Sequence, residues 1–310
     1  MRGVQRNSQL YLNYSYTDMH RIFMGIRRLP ALLPVVFVLL AALLVTGCSF
    51  KTVYSRLDYL IVEYVEGMVT LDDMLESDLE RRAESLVDWH RTTQLKQYAE
   101  WFREIQADTG PDLDDKTLQY HIGRMEAYWR TIRQQLNADM AEFLPQLSAE
   151  QRAELFASLA HRNEVFREDY VDIDDDERLE NNIERITDQY ENWLGDLSDD
   201  QYAAIEKAAT RLKSGAERRY QLRLEWQAKI KQLLQADLTD ERRQEQLLAY
   251  FDSYDLNRDP VHAPINLQNK AVLRELTLQI VHTMSPEQKR YFDSRTDEYI
   301  RMFEELAEDR

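Results

Sequence analysis

Beyond residue 47 this chain gives its backbone few places to turn. Five glycines (Gly67, Gly110, Gly123, Gly195, Gly215) and five prolines (Pro111, Pro145, Pro260, Pro264, Pro286) are all the punctuation before Arg310. Leu, Glu, Gln, Arg and Ala fill the intervals, and these side chains lose little freedom in a helix. An all-α fold is therefore expected.

The apolar spacing agrees. Leu118, Ile122, Met125, Trp129, Ile132, Leu136 and Met140 step by three or four, and so do Leu179, Ile183, Ile186, Tyr190, Trp193 and Leu197. Each set draws one stripe on a helix whose other faces are charged, and the aromatic members read as core. Helix starts share one chemistry: Ser148 with Gln151, Ser198 with Gln201 and Ser285 with Gln288 each form a capping box. Thr239 starts a helix in the same way but has Arg242 in place of the glutamine, and Thr70 with Asp73 and Asp112 with Asp115 are looser versions. These signals predict an elongated antiparallel bundle of about nine helices, near 52–69, 71–92, 94–108, 113–144, 149–170, 175–195, 199–235, 239–256 and 265–309. Ser214-Gly215 divides the seventh, and Pro286, which fits only a first turn, divides the last.

The N-terminus has a different character. Arg21, Arg27 and Arg28 precede the apolar stretch Ala31–Val45, which ends in Thr46-Gly47-Cys48, the layout of a secretory signal with Met1, Met19 or Met24 as its start. The uncharged run Leu29–Phe50 is also about long enough for a transmembrane helix, but Pro30, Pro34 and the small residues at its end favour the signal. Val45-Thr46-Gly47-Cys48 resembles the lipobox of bacterial lipoproteins. That resemblance implies a diacylglyceryl group on the Cys48 thiol, cleavage between Gly47 and Cys48, and acylation of the new amine. Three acyl chains exceed the two signals that stable anchoring needs. Ser49, where an aspartate would mean inner-membrane retention, points to the periplasmic face of the outer membrane in a Gram-negative bacterium.

On this reading residues 1–47 are signal peptide and 48–310 a periplasmic all-α domain, divisible into lobes 52–171 and 175–310. The whole chain carries a net charge of −17; residues 1–47 hold five arginines and one aspartate, which leaves −21 for the remainder. Such a surface repels nucleic acid and anionic lipid alike, and no nucleic-acid role is expected. Cys48 is the only cysteine, so no thiol is left for a disulfide or a thiolate metal site.

Chemistry-bearing motifs are sparse. Asp172, Asp174 and Asp176 match the opening of a calcium loop, but Glu177 stands where glycine is needed and Ile183 where the bidentate glutamate belongs. The segment 172–177 reads better as a solvated break that caps the next helix. There is no phosphate-binding glycine loop, no nucleophile elbow and no zinc-protease pair. His161 and Glu164 reverse the Glu-x-x-His order of di-iron bundles, and His90, His121, His262 and His282 show no ligand spacing. No enzyme activity, cofactor, metal or small-molecule substrate is expected.

Three segments, Val53–Leu60 (VYSRLDYL), Trp89-His90-Arg91 and Trp193–Ser198 (WLGDLS), resemble a family of proteobacterial lipoproteins that carry a domain of unknown function. That resemblance implies an all-α lipoprotein and no particular activity. The three Ser-x-x-Gln starts are also similar to the LTxxQ motif of small periplasmic chaperones of the Spy and CpxP type, although this chain is longer and strongly acidic. The leading expectation is a membrane-tethered structural or interaction module for an envelope protein partner. A periplasmic holdase is the alternative, and a carboxylate/histidine metal protein or enzyme the second alternative.

Overall fold

A computed structural model describes residues 47–308, with side chains from residue 51 onward. Among these residues every regular element is helical. The helices are α1 (Gly47–Tyr54), α2 (Leu57–Glu66), α3 (Asp73–Thr93), α4 (Leu95–Asp108), α5 (Asp115–Phe143), α6 (Ala149–Tyr170), α7 (Asp175–Leu194), α8 (Asp199–Ala209), α9 (Ala216–Gln235), α10 (Asp240–Ser253), α11 (His262–His282) and α12 (Pro286–Glu308). Short 3-10 turns at Leu144–Gln146 and Leu256–Arg258 join two of the connections.

Twelve helices replace the nine expected, and each extra break has a local reason. The segment read as 52–69 divides at Ser55-Arg56. No glycine or proline marks that break, but Arg56 leaves helical space at φ −121°, ψ 16°, and Tyr54 and Leu57 on either side are almost fully buried. The 199–235 segment divides before Gly215, where the side chain of Asn269 accepts from Lys213 N at 2.9 Å and donates to Lys213 O at 2.8 Å. The last segment divides at Pro286 as its sequence requires, but α11 begins at His262, because Pro264 fits a first helical turn.

The three capping boxes form with both of their hydrogen bonds or sit at a helix start with the same pair of bonds. Thr239 caps α10 through Arg242 N. The looser readings are corrected. Asp72 caps α3 by accepting from Met74 N and Leu75 N, and Asp114 caps α5 by accepting from Thr117 N. Thr70 instead donates its hydroxyl to Glu154 at 2.8 Å and ties the α2–α3 connection to α6.

Three apolar clusters fill the interior. The first joins α1 to α6 with the C-terminal half of α12, including Tyr54, Leu86, Phe102, Ile132, Leu159 and Phe303. The second lies among α7, α8, α11 and the start of α12, around Ile205, Leu276 and Ile280. The third packs the end of α5 against α9 and α10, around Ala141, Leu234 and Leu247. Helix α12 runs along α4 and contributes to two of these clusters. Of the two stripes read from sequence, Ile132, Ile186 and Leu197 are buried, most other members are half-buried, and Met125 is exposed.

Gly195 ends α7 at φ +71°, ψ −146°, a conformation that is essentially glycine's alone. The ring of Tyr291 lies 3.5 Å from where a Cβ would be, an ordinary van der Waals contact, so it is the backbone conformation that holds this corner to glycine.

Candidate functional site at the tether junction

Gly47 and Cys48 open α1. The Cys48 side chain and residues 1–46 lie outside the described residues, so the signal peptide, the lipid attachment and the Gly47–Cys48 cleavage are expectations about that region. What is described is how α1 meets the body. Six residues separate Cys48 from Tyr54, about 9 Å along a helix. Tyr54 is 2% exposed, and α1 packs on α12 with Lys51 3.4 Å from Glu305.

Tyr54 anchors α1 through a buried imidazole. Its hydroxyl lies 2.8 Å from His90 Nδ1, and the Tyr98 hydroxyl lies 3.3 Å from His90 Nε2. A neutral imidazole has one N–H and one lone pair, so it donates to one phenol and accepts from the other. Three helices, α1, α3 and α4, thus meet on one side chain. Burial pushes the His90 pKa down to about 4 and drives Tyr54 and Tyr98 well above the ordinary phenol value. A general base works best with a pKa near the ambient pH and with access to its substrate. His90 has neither, being 5% exposed and neutral at pH 7.

The contact continues into α5. Tyr98 meets Tyr128 edge-on at 4.8 Å, and Arg124 donates to Tyr128 at 2.7 Å and to Glu104 at 2.5 Å. Burial opposes the Arg124 charge, but Glu104, Tyr128 and Tyr120 outweigh it and raise its pKa. Nearby, Trp101 donates to His121 Nδ1 at 3.1 Å, and His121 Nε2 lies 3.0 Å from Asp108. An imidazole held on both sides in this way locks α4 to α5.

Beside the junction an open groove of about 450 Å³ runs between α4 and α12, lined by Lys96, Glu100, Arg103, Arg301, Glu304 and Glu305 among others. Both signs of charge alternate along it, and Arg103 pairs with Glu304. Glu305, on its rim, pairs with Lys51 of α1.

The other residues singled out in the sequence do not converge. His161 and Glu164 are exposed on α6 with 3.9 Å between their nearest atoms. His282 reaches the Leu113 carbonyl at 2.7 Å. In the acidic segment Asp174 caps α7 by accepting from Glu177 N, Asp172 pairs with Arg167, and Asp175 pairs with Arg178. Among the described residues no group of three or more His, Cys, Asp and Glu side chains is placed to hold a metal ion. No described helix is long and apolar enough to cross a membrane.

The three segments that carry the lipoprotein resemblance do meet in space. Tyr54 from the first and His90 from the second are hydrogen-bonded. Trp193 from the third packs on Tyr299 at 5.3 Å and Phe102 at 6.1 Å, and Phe102 meets Phe303 at 5.3 Å, which in turn meets Tyr98 at 5.8 Å. Tyr98 was not distinguished in the sequence. Its one signal there was its place eight residues after His90, two turns along a helical text.

No curated protein and no solved structure matches the chain. A family model described as a family of unknown function, DUF6279, matches residues 68–254, from the end of α2 to the end of α10. That span takes in His90, Tyr98, Trp101, His121 and Trp193 and leaves Tyr54 and α12 outside it. It is more than half of the chain, which therefore belongs to the DUF6279 family.

Proposed function

We propose that this protein is a lipoprotein of the periplasmic face of the outer membrane, a helical interaction module held by acyl chains on Cys48 and without catalytic activity. The observation that carries the reading is the junction. Helix α1 starts at the expected lipid site and, within two turns, sinks Tyr54 into the core against His90 and Tyr98. A tether built this way holds the body close to the membrane surface rather than on a loose linker. The partners are the membrane, through the lipid, and an envelope protein that docks on the helix faces.

The holdase alternative gains little support from the Ser-x-x-Gln segments. Gln201 and Gln288 are buried and hydrogen-bonded to each other, and Gln151 donates to the Thr70 carbonyl, so the motif is engaged in holding helices together. A catalytic reading finds no histidine that is both accessible and joined to a nucleophile among the described residues.

The test is Cys48→Ala in the full-length chain, followed by radiolabelled palmitate incorporation and membrane fractionation. Loss of label and release of the protein from the outer-membrane fraction are expected. Retention of both would overturn the proposed location.

A further inference from the structure

The groove between α4 and α12, at about 450 Å³, falls within the ~300–1,000 Å³ range of small-molecule sites. Its depth comes from Ala99, a small residue 1% exposed, with the longer Lys96 and Arg103 about one turn to either side. The charged side chains along it are all exposed. Two of its carboxylates are already engaged, Glu304 by Arg103 and Glu305 by Lys51 of α1. Two cations, Lys96 and Arg301, and two carboxylates, Glu100 and Glu308, pair with no other residue among the described ones. Their partner is water, which a ligand can replace.

These four charges are equal in number and interleaved in space. Lys96 and Glu100 lie one turn apart on the same face of α4. Helix α12 runs antiparallel to α4, since Arg103 meets Glu304 while Gln106 meets Asp297, and this brings the end of α12 beside the start of α4. Glu308 thus stands toward Lys96, and Arg301 further along toward Arg103. A simple anion in this groove is attracted by two of the four charges and repelled by the other two, and a simple cation meets the same cancellation. A ligand with one charge of each sign, a few bonds apart, is attracted by all four.

The residue types narrow the zwitterion. Lysine and arginine donate to phosphate oxygens, arginine through a planar fork. Carboxylates accept N–H bonds, so they select a primary ammonium, which has three to give, over a quaternary one, which has none. Quaternary ammonium groups are recognised by aromatic cages instead. Among the described residues no aromatic side chain lines this groove.

Position supplies the source. Glu305 on the rim is tied to Lys51, which is three residues, about 4.5 Å of helix, from Cys48. With acyl chains on Cys48, the groove lies within reach of the headgroup layer. The net charge of −17 disfavours an anionic headgroup there. A zwitterionic headgroup carries no net charge to be repelled.

We propose that the α4–α12 groove binds the ethanolamine phosphate headgroup of a membrane lipid, with Lys96 and Arg301 on the phosphate and Glu100 and Glu308 on the ammonium. The lipid source rests on the Cys48 reading; the binding chemistry does not. The groove adds a reversible hold beside the covalent one and fixes which side of the body faces the bilayer.

The test titrates the purified full-length chain, in detergent, with glycerophosphoethanolamine, glycerophosphocholine and free ethanolamine in a calorimeter. Saturable binding of glycerophosphoethanolamine is expected, at least about tenfold tighter than that of the other two, since each of them lacks one set of charge-assisted hydrogen bonds. E100Q/R301Q should abolish the preference. That variant leaves the net charge unchanged and alters two exposed side chains, so it keeps its fold, and R211Q/E275Q, which removes an exposed pair elsewhere, is the matched control. In nanodiscs, amide hydrogen exchange over 95–103 and 301–308 should slow when phosphatidylethanolamine replaces part of the phosphatidylcholine, and should not respond in E100Q/R301Q. Absent binding, equal binding of the three probes, or unchanged binding by E100Q/R301Q overturns the site. Glycerophosphoethanolamine binding without protection in nanodiscs overturns the lipid source. The titration does not depend on the acyl chains, so its failure leaves the Cys48 reading standing, and palmitate retained by Cys48→Ala leaves the titration result standing.

Discussion

His90 shows what one side chain can do when it is shared. It joins α1, α3 and α4 through its two ring nitrogens, and it is held neutral by burial with a pKa of about 4 against an ordinary value of 6.5. Between those values the unfolded chain binds more protons than the folded one. The stability this burial supports is therefore complete above pH 6.5 and declines as the pH falls through the window toward 4, by about 3 kcal/mol at most. Urea denaturation at pH 7 and pH 5 should show that decline, and His90→Leu should flatten the part of it that His90 carries. The same substitution removes the hydrogen bonds that His90 makes with the Tyr54 and Tyr98 hydroxyls and is expected to cost about 1–3 kcal/mol at pH 7. A variant with wild-type stability and an unchanged pH profile would remove His90 from this role.

At the scale of elements, capping chemistry and tertiary contact turn out to be one device. Gln201 accepts from Ser198 N at 3.0 Å to close the start of α8, and Gln288 accepts from Ser285 N at 3.0 Å to close the start of α12. The two amides then bond each other in both directions, at 3.1 and 2.7 Å, and Gln288 also donates to the Asp196 carbonyl. Each glutamine spends one oxygen on its own helix end and on its neighbour. Gln201→Ala and Gln288→Ala are each expected to cost about 1–3 kcal/mol, because a buried amide loses its partner. The double variant should cost less than the sum by about 1 kcal/mol, as contacting residues couple. Strict additivity in a double-mutant cycle would show the two caps to be independent.

The sequence showed these glutamines only as caps. Their second role was illegible because Ser-x-x-Gln records a bond three residues long, whereas the Gln201–Gln288 bond spans 87 positions and depends on where α12 comes to rest. The same limit applies at the junction. Tyr54 and His90 stood in two of the segments noted for their resemblance, but only packing brings them within 2.8 Å.

At the scale of the molecule, α12 closes the structure. It brings Tyr299, Ile300, Met302, Phe303 and Leu306 back onto helices from the first third of the chain and places Phe292 in the second cluster. Phe303, 2% exposed, meets Tyr98 and Phe102 edge-on. Phe303→Ala is expected to destabilise the whole fold by about 3–5 kcal/mol, the range for removing a buried phenyl ring. A thermal melt that stays a single transition with a lower midpoint would fit this role. Loss of only a C-terminal fraction of the signal, with the remainder melting as before, would show that α12 is an appendage. The family match stops at residue 254, before this helix begins, so the matched segment lacks one wall of its own core.

By itself the sequence determined the helical class, the sites of the three Ser-capped starts, the breaks at Gly215 and Pro286, and the acidic character of the surface. All of these follow from interactions within a turn or two of chain, where spacing and residue type are sufficient. It also placed an expected lipid site at Cys48. Only the tertiary structure decided that α1 is pinned by a shared imidazole and that two caps fuse into one contact. Those depend on desolvation and on neighbours supplied by distant helices, and a linear pattern does not record either.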